Sequence, residues 1–473
     1  MTSDLAAYLH PDRLFPADKG IRDKARRLYE QVKDLPILSP HGHADPSWFA
    51  ENRPFDNATN LFVTPDHYLI RMLYSQGIPL EDIGIPRLDG KPVETDMRKI
   101  WRMFAAHYHL FLGTPTAFWL SHVFFDIFGF DRPLTPESAD YYYDTIEGKL
   151  RSEAFRPRAL MDKFNIEVIA TTEGATDTLE HHAALQGTAW AKRVITTFRP
   201  DDVVDPDRPG FQQNLLKFAE ISGRDVRTWP EYLAALRERR QVFRDHGATA
   251  SDHGVPSAMT ADLSQADAEA LFARIVSDEF TPADAELFRA QMLTEFAGMA
   301  IEDGLVMQLH AGPRRNYNRP LLDRFGFDVG ADLPSATNYI DGLEALLNKY
   351  GNETALRLIV FTLDESTYSR ELAPLAGHFP CMKLGPPWWF HDSVEGMVRF
   401  RQQVTETAGF YNTVGFNDDT RAFLSLPARH DVARRMDCRF LATLVSEHRM
   451  HMDDAETLIQ DLSYRLAKEA YKL

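Results

Sequence analysis

Two histidines separated by one glycine, His41-Gly42-His43, follow the apolar Ile37-Leu38 and precede Asp45-Pro46. Side chains two apart on an extended chain point to one side, so such a pair at the end of a strand can grip one metal ion, with the small glycine leaving room for it. His310 closes a second apolar run, Gly304-Leu305-Val306-Met307-Gln308-Leu309, and Asp419 lies just past a third, Tyr411 to Phe416. Three imidazoles and one carboxylate are ordinary ligands for a divalent transition metal and leave positions open for substrate. Other histidine pairs lack this placing. His107 and His109 fall in a helical pattern, where i and i+2 diverge. His181 and His182 face different ways in any regular element, and His448 and His451 stand three apart rather than the four of a zinc-protease motif.

Short β-branched runs must position these residues. Strands are expected at Ile37–Ser39, Ile166–Thr172, Val194–Phe198, Leu305–Leu309, Leu356–Leu363, Cys381–Leu384 and Tyr411–Phe416. Helical patterns separate them, among them Gly20–Asp34, Thr281–Gly298, Tyr339–Lys349 and Ser393–Glu406. Strand followed by helix, repeated, argues for an α/β fold with a parallel sheet, a distorted (β/α)8 TIM-like barrel, with one of its eight strands not visible in the pattern. In such barrels the strands' C-terminal ends carry the chemistry, which is where His41, His43, His310 and Asp419 fall. The expected organisation is a single barrel domain over residues 1–473. It carries one aromatic, helical insertion at about 54–160 and a second helical excursion at about 212–303.

Composition excludes several classes. The 473 residues carry a net charge of −17, which disfavours nucleic acid or an anionic membrane as partner and requires a local arginine cluster for any anionic substrate. Two cysteines, Cys381 and Cys438, rule out a disulfide framework or a thiolate zinc site and suit a reducing cytoplasm. No apolar run reaches the ~20 residues of a membrane span, and Met1-Thr2-Ser3-Asp4 opens no signal peptide. A soluble cytoplasmic enzyme is expected, and a homo-oligomer is compatible with the sequence.

Seven segments resemble, in order, those of uronate isomerase (glucuronate isomerase), a divergent branch of the metal-dependent amidohydrolase superfamily. They are His41-Gly42-His43, Asp66-His67-Tyr68-Leu69-Ile70-Arg71, Ile169-Ala170-Thr171-Thr172-Glu173, Thr197-Phe198-Arg199-Pro200-Asp201, Gln308-Leu309-His310-Ala311-Gly312-Pro313-Arg314-Arg315-Asn316, Trp388-Trp389-Phe390-His391-Asp392 and Asp419-Thr420-Arg421-Ala422-Phe423-Leu424-Ser425. The resemblance implies a distorted (β/α)8 barrel and metal ligation by His41, His43, His310 and Asp419. The absence of a bridging lysine on strand four points to one ion, zinc by preference, with manganese or iron also suited to this donor set.

The implied reaction interconverts D-glucuronate with D-fructuronate, or D-galacturonate with D-tagaturonate, in uronate catabolism. The ring opens, the C2 proton leaves, a cis-enediol forms, and C1 is protonated; this requires a base near C2 and donors for the enediolate oxygens. By resemblance, Asp419 takes the C2 proton together with the metal-held C5 hydroxyl. Tyr68, or Asp419 again, shuttles the proton between O2 and O1, Arg421 places a cation beside the oxyanion, and His67 assists ring opening. Arg199 and Arg315 would bind the substrate carboxylate, a planar partner that arginine suits better than lysine. Arg315 is preferred to Arg314 because the family's arginine stands five after the histidine. Trp388 would complete the pocket.

The chain departs from the family's commoner form at Glu173-Gly174-Ala175, where a pair of aspartates and a proline is usual, and in the loops 363–368 and 377–380. A metal-dependent hydrolase acting on a sugar-acid lactone or amide is the alternative, since the same ligands can activate a water. A binding protein that has lost activity is disfavoured by the complete ligand set.

Overall fold

In the computed structural model, which describes residues 9–473, parallel strands alternate with helices from Ile37 onward. Ile37–Ser39 pairs with Ile166–Ala170, and that strand with Val194–Ile195. Both inner strands then break, at Thr171-Thr172 and Thr196-Thr197. Their short continuations, Glu173–Gly174 and Phe198–Arg199, join a second sheet that runs on through Ala250–Val255, Val306–Ala311, Leu358–Thr362 and Met382–Leu384. Leu384 bridges Thr413. The His43 N–H donates to the Thr420 carbonyl at 3.0 Å and the Asp419 N–H to that of His41 at 3.3 Å, so the last segment meets the first strand and the ring closes. This is the distorted (β/α)8 barrel, divided into two sheets at the threonine pairs.

Most elements stand where periodicity puts them. The helices Lys19–Glu30, Pro282–Asp303, Tyr339–Tyr350 and Val394–Ala408 match the expected ones within a few residues. Thr281 and Asp284 close a capping box on the second, which satisfies two backbone donors that the helix cannot. The differences have physical causes. The eighth strand is Ala250–Val255, inside the segment 212–303 expected to be helical. It reads Ala-Ser-Asp-His-Gly-Val, without an apolar alternation, because its inward positions serve the site rather than the core. The Tyr411–Phe416 run makes only the bridge at Thr413, since Gly415 turns the backbone with φ of +75°.

Register stacks the barrel interior in layers. Gly254, His310 and Phe361 lie abreast in the top layer, Asp252, Gln308 and Ile359 below them, and Ala250 with Val306 at the base. Residues of opposite parity, such as Met307, Leu309, Leu358 and Val360, face outward into a core shared with Phe243, Phe296, Leu343 and Leu346. Each such side chain contributes about 1.5–3 kcal/mol by leaving water. The helices between the first two strands have their own aromatic core around Phe62, Trp101, Phe104, Phe124 and Phe128, and this core reaches Phe423, four residues past Asp419. Phe49 meets Phe423 edge-on at 5.3 Å, so the inserted helices brace the loop that carries the carboxylate.

Candidate active site

His41 and His43 lie just past their strand rather than on it, and both rings turn toward Asp419. The Asp419 Oδ1 lies 3.5 Å from His41 Nε2 and 3.1 Å from His43 Nε2. Asp419 itself has φ of +37°, a left-handed conformation held by its N–H bond to the His41 carbonyl. Strain of this kind costs about 1–3 kcal/mol and persists where surrounding structure imposes it. A Cβ on Gly42 would meet Asp418, Thr420 and Ser39 at ordinary contact distances, so the glycine's open side faces that loop and not the histidine pair.

His310 projects from its strand between His41 and Phe361, with ring centroids 4.9 and 4.1 Å away. Its Nδ1 hydrogen-bonds Asp252 Oδ1 at 2.6 Å, which leaves Nε2 buried without any partner. Buried polar atoms are almost always paired, so an orphaned imidazole nitrogen beside two more histidines and a carboxylate is the mark of a ligand position. Two trios share His41, one with His43 and Asp419, the other with Asp252 and His310, their ligand atoms within 4.8 Å of one another. The residues fit a divalent metal ion. Asp252 escaped the sequence reading because its strand did; the polar Ser251-Asp252-His253-Gly254, just ahead of Pro256, was its only signal.

The electrostatics agree with that fit. Burial drives His41 down to about 4, so its ring is neutral at physiological pH and has a lone pair to give. Burial alone would raise Asp419, but His41, His43 and His310 outweigh it and hold the carboxyl below the ordinary carboxylate range. Asp252 is ionised for a different reason: the Arg199 guanidinium, 3.1 Å from its Oδ2, overcomes complete burial.

Arg199 is therefore held between two carboxylates rather than free in the pocket. Its Nε donates to Asp201 Oδ2 at 2.7 Å while Nη1 faces Asp252. Gly254 makes this possible, for a Cβ there would lie 2.3 Å from Arg199 Nη2. Arg315 donates to Asp332 at 2.7 Å and lies 5.2 Å over the Trp389 ring, with its side chain 41% exposed. Arg421 pairs with Asp328 at 2.8 Å. Arg314 turns away to cover Tyr317.

One cavity joins Tyr68, Trp388, Trp389 and Asp392 to Asp418 and Asp419. Trp388 meets the His310 ring edge-on at 4.6 Å. Tyr68 and His67 begin the helix His67–Ser75, capped by the Asp66 carboxylate, which accepts from the Tyr68 and Leu69 N–H groups. Burial drives His67 down to about 3, helped by Arg421, and its Nε2 is buried without a partner. Burial also raises the Tyr68 hydroxyl above its ordinary value, so the phenol keeps its proton. Asp392 is pushed up to about 7 by burial, against the Arg429 guanidinium that donates to its Oδ2. Glu173 lies apart from this cavity's lining, accepting from the Thr196 hydroxyl with His182 3.9 Å away.

A family model described as glucuronate isomerase matches residues 19–471. A uronate isomerase of Phenylobacterium zucineum is 62% identical over 465 residues, covering 98% of this chain and 97% of that protein. One from Xanthomonas axonopodis pv. citri is 60% identical with 98% of both covered. Among solved structures, glucuronate isomerase from Caulobacter crescentus superposes with a TM-score of 0.96 at 60% identity, over 98% of this chain and 96% of that one. Uronate isomerase from Thermotoga maritima gives 0.89 at 27% identity, over 98% and 99%.

Proposed function

The chain belongs to the glucuronate isomerase family and is an aldose–ketose isomerase of uronates; from that premise we propose how its own residues move the proton. The carrying observation is the Asp419 carboxylate, ionised, in contact with both His41 and His43 and lining the same cavity as Tyr68. We assign the metal to His41, His43, His310 and Asp419, with zinc preferred over manganese or iron. When bound, the ion supplies Lewis-acid polarisation and a template for substrate oxygens.

The residues divide the remaining work. Asp419 removes the C2 proton as general base, a role open to it because the carboxyl stays ionised. Tyr68, a phenol that keeps its proton, carries a proton between O2 and O1 as the enediol forms and collapses. Arg421 offers positive charge to the enediolate, and neutral His67 has a free nitrogen for ring opening. Arg315, half exposed over Trp389, takes the substrate carboxylate. Arg199 is the second candidate for the substrate carboxylate, which it would meet by giving up its ion pair with Asp201 or Asp252. Trp388 forms the wall. Both D-glucuronate and D-galacturonate are proposed substrates.

We also read the chain as one barrel domain carrying the insertions at about 54–160 and 212–303, the second interrupted by Ala250–Val255. A cytoplasmic location is supported by two buried, free cysteines, and no helix among the described residues is long and apolar enough to cross a membrane. The mechanism is tested by turnover of D-glucuronate in deuterated water. Deuterium is expected at C1 of the ketose, at least in part. Ketose free of solvent deuterium even after prolonged equilibration, together with an undiminished rate in Asp419→Asn, would point to hydride transfer and remove Asp419 as base.

A further inference from the structure

The barrel interior below the ligands is closed by a side chain from the last helix of the fold. Tyr471 follows the helix Leu466–Ala470 and is fully buried among Ala250, Val306, Ile359 and Val414, the small and branched residues of the barrel's lower layers. Its hydroxyl donates to Gln308 Oε1 at 3.1 Å, and Gln308 Nε2 lies 3.4 Å from His41 Nδ1. Gln308 is itself fully buried, on the strand that carries His310 two residues on. A phenol, an amide and an imidazole thus run in a line from the barrel base to the ligand site, with no water-exposed atom needed to satisfy them.

Such a line sets which nitrogen of His41 carries the proton. A neutral imidazole that gives its Nε2 lone pair to a metal must hold its proton on Nδ1, and that N–H needs an acceptor. Gln308 is the group facing Nδ1. With its carboxamide oriented so that Oε1 faces Nδ1–H, its NH2 faces the Tyr471 oxygen, and every group in the line keeps a partner.

We propose that Gln308 and Tyr471 are positioning residues for the metal site, a buried relay that fixes the ring orientation and tautomer of His41 and thereby sets the affinity for the ion. The proposal rests on the assignment of His41 as a ligand, but it is read from metal binding and not from turnover. Loss of an outer hydrogen-bond partner of a ligating histidine costs about 10–100-fold in metal affinity.

The experiment is a zinc and manganese titration against a competing chelator. It uses the full-length wild type, Gln308→Leu, Tyr471→Phe and the double variant, with the melting temperature of each metal-free protein measured alongside. Gln308→Leu is expected to raise Kd by roughly 10–100-fold. Tyr471→Phe, which removes one oxygen and keeps the packing, should raise it by part of that factor. The double variant should match Gln308→Leu alone, because the phenol acts only through the amide. Gln308→Glu, which keeps an acceptor toward Nδ1, should restore most of the affinity. The relay is overturned if folded Tyr471→Phe and Gln308→Leu bind metal within twofold of wild type, or if their effects multiply in the double variant. Should Gln308→Leu not fold, Tyr471→Phe decides alone: Kd unchanged at an unchanged melting temperature rejects the proposal. If instead wild type binds no metal at all, the ligand assignment fails and the relay falls with it, whereas metal binding unaffected by the variants overturns the relay alone.

Discussion

Asp252 and His310 share a 2.6 Å hydrogen bond across adjacent strands, Oδ1 to Nδ1, and neither group has contact with solvent to replace it. The bond commits Nδ1 as donor and leaves Nε2 for the metal. Arg199 backs the carboxylate at its Oδ2. Asp252→Ala should therefore weaken metal binding by about 10–100-fold, and turnover at limiting metal should fall with it. Equilibrium dialysis with metal analysis checks this; unchanged affinity would mean that His310 is oriented by its stacking on Phe361 alone.

Asp419→Asn keeps the size of the side chain and removes the base. We expect kcat to fall by at least ~10³-fold at saturating metal, within the range general-base removal produces. Circular dichroism should remain that of the native protein. The steady-state rate of ketose formation is the measurement, and a variant within tenfold of wild type would exclude the role.

Chelation should abolish activity and lower the melting temperature together. A ligand at 100 times its Kd stabilises the folded state by about 2.7 kcal/mol, so restoring the ion must move both quantities back. Scanning calorimetry with and without chelator, followed by re-addition of zinc, manganese or iron in turn, would also identify the metal that restores most activity.

Glu173 gives a pH signature unconnected with catalysis. Burial raises its carboxyl from an ordinary 4.5 to about 8. Between those values the folded protein holds a proton that the unfolded chain has released. Its stabilising contribution is full below 4.5 and is lost as pH rises through 8, with a slope of at most ~1.4 kcal/mol per pH unit. Glu173→Gln should flatten the stability curve in this window when denaturant midpoints are measured from pH 5 to 9. A curve parallel to wild type would show that the group titrates normally.

The candidate site was readable from sequence because His41, His43, His310 and Asp419 each follow an apolar run, and strand ends in a parallel barrel converge. For that reason His41 lies with His43 and Asp419 in one trio and with His310 and Asp252 in another, the ligand atoms of each within 4.8 Å. Asp252 was not readable, since Ala250–Val255 lacks the apolar alternation that marks a strand: its outward positions hold Ser251 and His253, which hydrogen-bond each other, and Gly254 is small to admit Arg199. Nor could any local pattern show that Arg199 is held by two carboxylates while Arg315 stays half exposed; both follow strands, and only long-range packing separates them. The alternation of strand and helix carried the fold. Its breaks at the paired threonines are invisible to periodicity, because Thr suits a strand as well as it suits a kink.

Phe423 ties the inserted helices to the loop of Asp419, and those same helices supply His67, Tyr68 and the Trp119 that lies under Arg429. Of the groups proposed to handle the sugar's protons, His67 and Tyr68 thus come from the inserted helices, while Asp419 belongs to the proposed ligand set as well. Trimming residues 54–160 would remove His67 and Tyr68 and, with them, aromatic packing around Phe423 that braces the Asp419 loop. The cavity beside Asp419 is therefore composite: Tyr68 comes from the insertion, and Trp388, Trp389, Asp392 and Asp418 come from the barrel's last loops.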